Sequence, residues 1–310
     1  MMNHVAFVFS GQGSQYRGMG AELYEHYACV RQVYEAGSDI LGMDLHQATM
    51  ESTDEELACT RLSQPLIFTL SVAAATLLKE KGIVPAAVAG FSLGECSAVT
   101  AAGGLSLEDG FRLIKARAQF MDEAAKEGSG SMSAIIGLDD ETIAKVCGDI
   151  SGYVTPVNFN CDGQTVIAGE TAAVEEAEKK LLEAGAGKAV RLAVSGAFHS
   201  AMMEQASINL EEALKNTVSR EMESPLFSNL TGTKLTHIDN MPEYFRRQMV
   251  SPVQWKQCVK AMMADGITTY VELGPKKTLC SFIRKIDRGN KVYNVEDEKT
   301  LGKVLAGLEG

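Results

Sequence analysis

The segment at residues 86–95, AAVAGFSLGE, restricts the fold of this chain more than any other stretch. A short apolar run of strand type ends in Gly90-x-Ser92-x-Gly94, and helix-forming residues follow at once. Glycine at both flanking positions indicates a turn so tight that neighbouring backbone leaves no space for a Cβ atom. We therefore predict a nucleophile elbow with Ser92 exposed at a helix N-terminus, where the helix dipole favours a developing anion. A structural Gly-Ser turn is the alternative, because this short motif also arises by chance.

The overall composition is that of a globular protein with a large core. The 310 residues are 45% hydrophobic and 22% charged, which suits one large domain or one domain carrying an insertion. A net charge of −11 argues against nucleic acid as the main partner, since phosphate binding requires an excess of basic residues. Seven scattered cysteines are typical of reduced thiols in a cytoplasmic protein. No signal-peptide pattern and no apolar run near the ~20 residues that cross a bilayer are found, so no membrane association is expected.

The first part of the chain follows an α/β pattern. A continuous apolar run at residues 5–9 predicts a central parallel strand, which ends in the glycine-rich loop GQGSQ at residues 11–15. The glycine spacing fits neither a dinucleotide fingerprint nor a P-loop, so either accessible backbone N–H groups or a plain tight turn explains the loop. Helices are predicted over residues 18–40, 53–59, 66–81 and 107–126. The helix at 66–81 should be buried, and the helix at 107–126 carries Arg117 in an otherwise apolar face.

The sequence EGSGS at residues 127–131 predicts a hinge into a smaller unit. Strands are predicted at 132–138, 154–160, 165–169 and 189–195, and helices at 139–150 and 171–184. This βαββαβ order is that of a ferredoxin-like unit. Strands at 269–273 and 292–295 and a C-terminal helix then complete the larger unit. The predicted fold class is α/β, with a large α/β-hydrolase-like domain containing a parallel sheet (1–127 and 197–310) and an inserted ferredoxin-like domain (128–196).

A serine nucleophile needs a general base within hydrogen-bond reach, and histidine is the usual one. Only His199 lies in a glycine-bearing loop at a predicted domain junction, where clefts form. The other histidines are predicted at a strand start, on a surface helix or in polar connecting segments: His4, His26, His46 and His237. The order Ser92 then His199 matches α/β-type serine enzymes. No Asp stands immediately upstream to orient the imidazole, which leaves a backbone carbonyl or an amide, and no motif indicates a metal site.

Five separate motifs occur in an order that resembles a known enzyme family. They are GQGSQ at 11–15, LSQP at 62–65, GFSLGE at 90–95, Arg117 and GAFH at 196–199. Together they resemble the malonyl-CoA:acyl carrier protein transacylases of fatty acid synthesis and the acyltransferase domains of polyketide synthases. The resemblance runs from Val5 to about Val295 and is more specific than the serine motif alone.

The resemblance implies the central roles at the site. Ser92 would be acylated by malonyl-CoA, and His199 would act first as base and later as acid. The backbone N–H groups of Gln12 and Leu93 would form the oxyanion hole, and Arg117 would hold the free malonyl carboxylate. A guanidinium suits this task, because it pairs bidentately with a carboxylate and is costly to bury unpaired. An internal ion pair to an acidic side chain is the alternative for Arg117.

The same resemblance implies further site residues. Gln248 precedes MVSPVQW at 249–255, so its backbone carbonyl would orient the histidine, and Gln64 and Asn160 match additional active-site positions. Phe198, beside the histidine, resembles malonyl-selective members. Phe91 departs from the family pattern, in which histidine usually precedes the nucleophile, and this departure affects the expected channel shape and acyl selectivity.

The implied reaction is a ping-pong transfer with malonyl-CoA as substrate and no tightly bound cofactor. Its partners are a coenzyme A thioester and a phosphopantetheinylated acyl carrier protein, and a monomer is expected. An acidic carrier protein would need a local basic patch. The candidate basic residues are Lys188, Arg191, Lys276, Lys277, Arg284, Lys285, Arg288 and Lys291. The alternative functions are a trans-acting acyltransferase of a polyketide synthase, a serine esterase or thioesterase, and a catalytically silent carrier-binding module.

Overall fold

Two β-sheets organise the described part of the chain, which comprises residues 4–194 and 196–308 of a computed structural model. The strands are β1 (Val5–Phe9), β2 (Ala87–Gly90), β3 (Gly130–Ile136), β4 (Val154–Cys161), β5 (Gln164–Glu170), β6 (Lys188–Arg191), β7 (Leu226–Phe227), β8 (Lys234–Leu235), β9 (Thr269–Leu273) and β10 (Lys291–Val295). The larger sheet has the order β10-β9-β1-β2-β7-β8, and the smaller one has the order β4-β5-β3-β6.

Fourteen α-helices accompany the strands in the described part of the chain. They are α1 (Ala21–His26), α2 (Ala28–Leu41), α3 (Leu45–Glu51), α4 (Asp54–Ala58), α5 (Thr60–Glu80), α6 (Leu93–Ala101), α7 (Leu107–Glu127), α8 (Asp140–Gly148), α9 (Thr171–Glu183), α10 (Glu204–Ala213), α11 (Met241–Val250), α12 (Trp255–Ala264), α13 (Thr278–Ile286) and α14 (Glu298–Leu308). The observed class is mixed α/β with a mainly parallel sheet, as predicted.

The larger sheet is parallel apart from its edge strand β8, which pairs antiparallel with β7. All of β1 is buried, and its side chains alternate between two cores, because Phe7 and Phe9 face one and Ala6 and Val8 face the other. In the register of β1 with β2, Phe9 lies opposite Gly90. The loops that follow these two strands therefore leave the same edge of the sheet side by side.

Helix α5 differs from the prediction at both its start and its hydropathy. It begins at Thr60 rather than at residue 66 and includes Pro65, although proline usually marks a helix start. Burial of Ser63, Gln64 and Pro65 shows that tertiary packing, which sequence pattern does not reveal, sets this boundary. By length and mean hydropathy the 21-residue helix could cross a membrane, contrary to expectation, but 83% of its apolar window is buried inside the protein.

The smaller sheet is antiparallel and carries helices α8 and α9 on one face. Its elements follow in the predicted order, although β6 ends at Arg191 and not at residue 195. Ser195 lies outside the described residues. The other face of the sheet joins the main core through Met132, Ala134 and Val166. A bridge between Asn158 of β4 and Val253 links the sheet to the segment between α11 and α12.

Some local elements were missed by the sequence analysis. The predicted helix at 18–40 is two helices separated at Tyr27, and α3 carries His46, which was expected in a connecting segment. The imidazole of His46 stacks on Tyr24 at a ring separation of 3.8 Å. Strands β7 and β8 contain two residues each, which is too short to produce a periodic pattern.

Candidate active site

The turn from β2 to α6 has the geometry predicted for a nucleophile elbow. Ser92 stands at the N-cap of α6 with φ 55° and ψ −104°, a strained backbone conformation for a residue with a side chain. A Cβ atom on Gly90 would lie 1.9 Å from the carbonyl carbon of Gly94, and one on Gly94 would lie 2.1 Å from the carbonyl oxygen of Phe9. Both glycines are therefore required by close backbone approach, as expected.

His199 lies within hydrogen-bond distance of Ser92. Its Nε2 atom is 2.6 Å from the Ser92 Oγ atom, and its Nδ1 atom is 3.1 Å from the carbonyl oxygens of both Gln248 and Ser251. Because carbonyl oxygens only accept, Nδ1 carries the hydrogen in the neutral ring and Nε2 is left as an acceptor for the serine proton. Two backbone carbonyls thus occupy the place of the carboxylate that the sequence did not provide.

Burial and the nearby Arg117 guanidinium lower the pKa of His199 to about 4, against the raising effect of the two backbone hydrogen bonds. The imidazole is buried, with only 3% of its surface exposed, so its neutral form predominates at physiological pH. This ring can accept a proton from Ser92 without first having to lose one.

Arg117 of α7 lies against the same serine. Its Nη2 atom donates to the Ser92 Oγ atom at 3.1 Å, and its Nη1 atom donates to the Gln64 Oε1 atom at 2.9 Å. Among the described residues, both acceptors are neutral, no carboxylate forms an ion pair with the guanidinium, and Nε has no partner. The internal ion pair considered from the sequence is thus not formed, and a fully buried cation stands beside the serine.

The side chains of Gln64 and Gln12 connect Arg117 to the glycine-rich loop. Gln64 donates from Nε2 to the Gln12 Oε1 atom at 3.1 Å, and Gln12 in turn donates to Thr60 at 3.0 Å. Within the described residues, no acceptor takes the backbone N–H of Gln12 or of Leu93. Both N–H groups are free to bind an oxyanion: one lies in the loop after β1 and the other at the first residue of α6, at the same edge of the larger sheet.

A cavity of about 220 Å³ adjoins this arrangement. Gln12, Phe91 and Asn160 contribute to its wall, and the Asn160 Oδ1 atom is buried without a hydrogen-bond partner among the described residues. Phe91 packs edge-on against Trp255 with ring centroids 5.9 Å apart. Phe198 is not part of the cavity wall, because its side chain is buried against Gly196 in the main core.

Four residues near the serine were not identified from the sequence: Glu95, Asn229, Tyr244 and Ser251. Glu95 had a detectable signal, because it is the one charged residue in the helical segment 93–101 and follows the motif directly. Asn229 and Tyr244 have no pattern that would mark them, since they lie far along the chain and reach the elbow only through the fold. Within the described residues, no group of three or more His, Cys, Asp or Glu side chains is arranged to hold a metal ion.

Comparison with known proteins identifies the family. The model of the acyl transferase domain matches residues 6–309. The malonyl CoA-acyl carrier protein transacylase of Bacillus subtilis is 37% identical over 99% of this chain and 98% of its own length. The crystal structure of the Clostridium perfringens transacylase has a TM-score of 0.95, with 35% identity, over 99% of this chain and 97% of that chain. A malonyl-transacylase solved in complex with its type II PKS acyl-carrier protein has a TM-score of 0.92 and 36% identity over 98% of this chain and 99% of that one. The chain therefore belongs to the acyl transferase domain family, among the malonyl CoA-acyl carrier protein transacylases.

Proposed function

We propose that the protein transfers the malonyl group of malonyl-CoA to the phosphopantetheine thiol of acyl carrier protein, with a malonyl-Ser92 intermediate. One observation carries the proposal: the Ser92 Oγ atom lies 2.6 Å from the His199 Nε2 atom and 3.1 Å from the Arg117 Nη2 atom. A general base and a carboxylate-binding cation thus meet at one nucleophile. A plain hydrolase has no use for the buried cation.

In the first half-reaction, the Ser92 Oγ atom attacks the thioester carbonyl while its proton moves to the His199 Nε2 atom. Negative charge then develops on the carbonyl oxygen, and the N–H groups of Gln12 and Leu93 are free to stabilise it. The tetrahedral intermediate collapses with loss of the CoA sulfur, which takes the proton from His199. The products are malonyl-Ser92, free CoA and neutral histidine.

In the second half-reaction, the carrier thiol gives its proton to His199 and attacks the malonyl ester. Collapse of the second intermediate breaks the bond to the Ser92 Oγ atom, and His199 returns the proton to it. CoA leaves before the carrier protein reacts, so the kinetics are ping-pong.

Arg117 selects the acyl group in this proposal. The malonyl carboxylate would accept hydrogen bonds from the guanidinium, including from Nε, which has no partner among the described residues. Burial strengthens this pairing, because water does not screen the two charges. The Gln64 Oε1 atom accepts a hydrogen bond from the Nη1 atom of the guanidinium, which fixes the orientation of the Arg117 side chain.

The proposal includes the finer organisation of the chain. A ferredoxin-like insertion at 128–196 in an α/β-hydrolase-like domain, residues 1–127 and 197–310, is supported by the βαββαβ order and by the separate apolar cluster beneath α8 and α9. A cytoplasmic location is supported by the cysteines, each of which is a free thiol, and the acidic net charge argues against nucleic acid as a partner. The proposal also includes a monomer that acts away from the membrane. Size-exclusion chromatography with light scattering tests the oligomeric state.

Labelled malonyl-CoA provides the decisive experiment. We expect stable label on Ser92 that moves to added holo-carrier protein, and no label on a Ser92→Ala variant. Rapid release of free malonate, with no transfer to the carrier, would instead support an esterase or thioesterase. The polyketide alternative is supported by a structurally similar transacylase that was solved with a type II PKS acyl-carrier protein. Carrier proteins of fatty acid synthesis and of polyketide synthesis, offered in turn, test which pathway the protein serves.

A further inference from the structure

A buried carboxylate lies directly behind the nucleophile. Glu95 stands three residues after Ser92 on α6 and has no exposed surface. Its Oε1 atom accepts hydrogen bonds from the backbone N–H of Asn229 at 2.7 Å and from the Tyr244 hydroxyl at 2.8 Å, and its Oε2 atom accepts one from Gln248 Nε2 at 2.9 Å. A buried carboxylate is retained only when donors satisfy it, and here three do so.

Two of these donors also hold the peptide groups around Ser92. The Asn229 Oδ1 atom accepts the Ser92 N–H at 2.7 Å, and its Nδ2 atom donates to the carbonyl of Gly90 at 2.7 Å. Gln248 Nε2 donates to the Ser92 carbonyl at 2.9 Å as well as to Glu95. The strained backbone of the serine is thus clamped at both its N–H and its carbonyl.

The same network reaches the base. The backbone carbonyl of Gln248 accepts the Nδ1 hydrogen of His199, so the residue whose side chain is held by Glu95 also orients the imidazole. Tyr244 lies one helical turn before Gln248 on α11 and donates to the same carboxylate, which fixes that helix against α6. One carboxylate therefore connects the elbow, the Asn229 loop and α11.

We propose that Glu95 is a positioning residue, which holds Ser92 and His199 in reacting geometry through Asn229 and Gln248. It contacts no substrate atom and no reacting atom. It acts as a common acceptor that keeps the serine backbone strained and the imidazole aligned. The inference rests on the proposed function for the identity of the reacting groups, and it extends that function to a residue two contacts away from the chemistry.

Protonation of this carboxyl would disturb the network. Burial raises the pKa of Glu95 to about 7, although its hydrogen bonds and the charge of Arg117 lower it. The other titratable groups that face it are Tyr244 of α11, Cys258 of α12 and Cys96 on its own helix, and burial raises the pKa of each well above neutrality. A hydrogen on the Glu95 Oε2 atom would face the Gln248 NH₂ group, which can only donate, so the hydrogen bond between these two side chains would be lost.

The test is the Glu95→Gln variant, which keeps the shape but places an NH₂ group against a donor. Two rates are measured from about pH 6 to pH 8: acylation by malonyl-CoA, followed by stopped flow, and inactivation by a fluorophosphonate. The fluorophosphonate needs a reactive serine but no malonyl group. At about pH 8, where Glu95 is mostly ionised in the wild type, we expect both rates of the variant to be about 10²-fold lower, with the KM for malonyl-CoA nearly unchanged, since a small misplacement of reacting groups costs this much. The wild-type rates should decline as pH falls through about 7, and the rates of the Glu95→Gln variant should not show this decline.

Asp122→Asn is the matched control, because Asp122 is another buried carboxylate, on α7, whose partners are Lys126, Arg61 and Cys59 rather than residues of the site. It should acylate at the wild-type rate. Wild-type rates in Glu95→Gln would overturn the proposal, as would a loss that only matches the unfolded fraction seen by circular dichroism. If Glu95→Gln does not fold, Gln248→Met decides, because it removes the side-chain link but keeps the backbone carbonyl: a tenfold or larger loss supports the proposal, and a wild-type rate refutes it. Failure of the wild-type protein to form malonyl-Ser92 would refute the proposed function instead.

Discussion

Removal of the Arg117 guanidinium is expected to abolish the preference for malonyl over acetyl thioesters. The side chain is fully buried and its nearest contacts in the described residues are neutral, so nothing else there provides a compensating positive charge. The Arg117→Ala variant keeps Ser92 and His199 and loses only the group that faces them from α7. An acetyl group has no carboxylate for the guanidinium to bind, so the rate of acetyl transfer should fall much less than that of malonyl transfer.

The magnitude follows from the number of hydrogen bonds. A bidentate guanidinium–carboxylate pair contains two charge-assisted hydrogen bonds of about 1.5–3 kcal/mol each. Loss of about 3–6 kcal/mol corresponds to a decrease of about 10²–10⁴-fold in the ratio of kcat/KM for malonyl-CoA over acetyl-CoA. Arg117→Lys should be intermediate, because an ammonium keeps the charge but not the planar pair.

The assay is the initial rate of acyl-enzyme formation with each thioester. Arg112→Ala on the same helix is the control, because its exposed guanidinium pairs with Glu108 and Asp109 on the protein surface. A malonyl to acetyl ratio that stays at the wild-type value in Arg117→Ala would refute the assignment of Arg117 to the carboxylate. Equal loss of both activities would show that the arginine supports the serine itself.

Three further outcomes are expected. Folding lowers the pKa of His199 from its usual value of 6.5 to about 4, so between these pH values the unfolded chain binds more protons than the folded one, and His199 makes the protein more stable as pH rises. The His199→Gln variant should reduce the slope of the unfolding free energy against pH in this range by up to about 1.4 kcal/mol per pH unit. An unchanged slope in urea titrations would contradict this prediction. Gly94→Ala places a Cβ atom 2.1 Å from the Phe9 carbonyl oxygen and should destabilise the fold by about 1–3 kcal/mol or more, whereas Gly148→Ala, with open space around it, should be neutral, so equal denaturation midpoints would be contradictory. Lys277 and Arg284 line a groove of about 490 Å³ beside α13. Joint replacement of both residues by glutamate should raise the KM for carrier protein about tenfold at low salt without changing the KM for malonyl-CoA. An unchanged KM for carrier protein would exclude this groove as the docking surface.

Local sequence pattern was sufficient to predict those features that depend on residues close together in the chain. The elbow was predictable because strand, turn and helix signals stand within ten residues and because two glycines mark close backbone approach. His199 was predicted as the base by elimination, and Arg117 was singled out by its presence in an apolar helix face; the structure places both beside Ser92. The α/β class followed from the buried strands at 5–9 and 269–273, whose apolar runs are those of a parallel sheet.

The family resemblance provided the assignments that pattern could not. Gln12, Leu93, Gln64 and Gln248 have ordinary local sequence, and the resemblance gave each of them a role. The role that the resemblance implies for Phe198 stays a prediction: its side chain packs in the main core and, like those of Ser92 and His199, does not contribute to the wall of the cavity.

The sequence by itself determined the identity of the chemical groups: a serine on a tight turn, a histidine in a distant loop and an arginine in an apolar helix face, where a buried cation without an anionic partner is costly. Tertiary structure decided how those groups are held. The histidine rests on two backbone carbonyls, and Glu95, Asn229 and Tyr244 converge behind the serine from three separate segments. A backbone carbonyl carries no residue identity, and a contact across more than a hundred residues leaves no local periodicity. Apart from the Gln248 carbonyl, which the family resemblance implied, these contacts could therefore be seen only once the chain had folded.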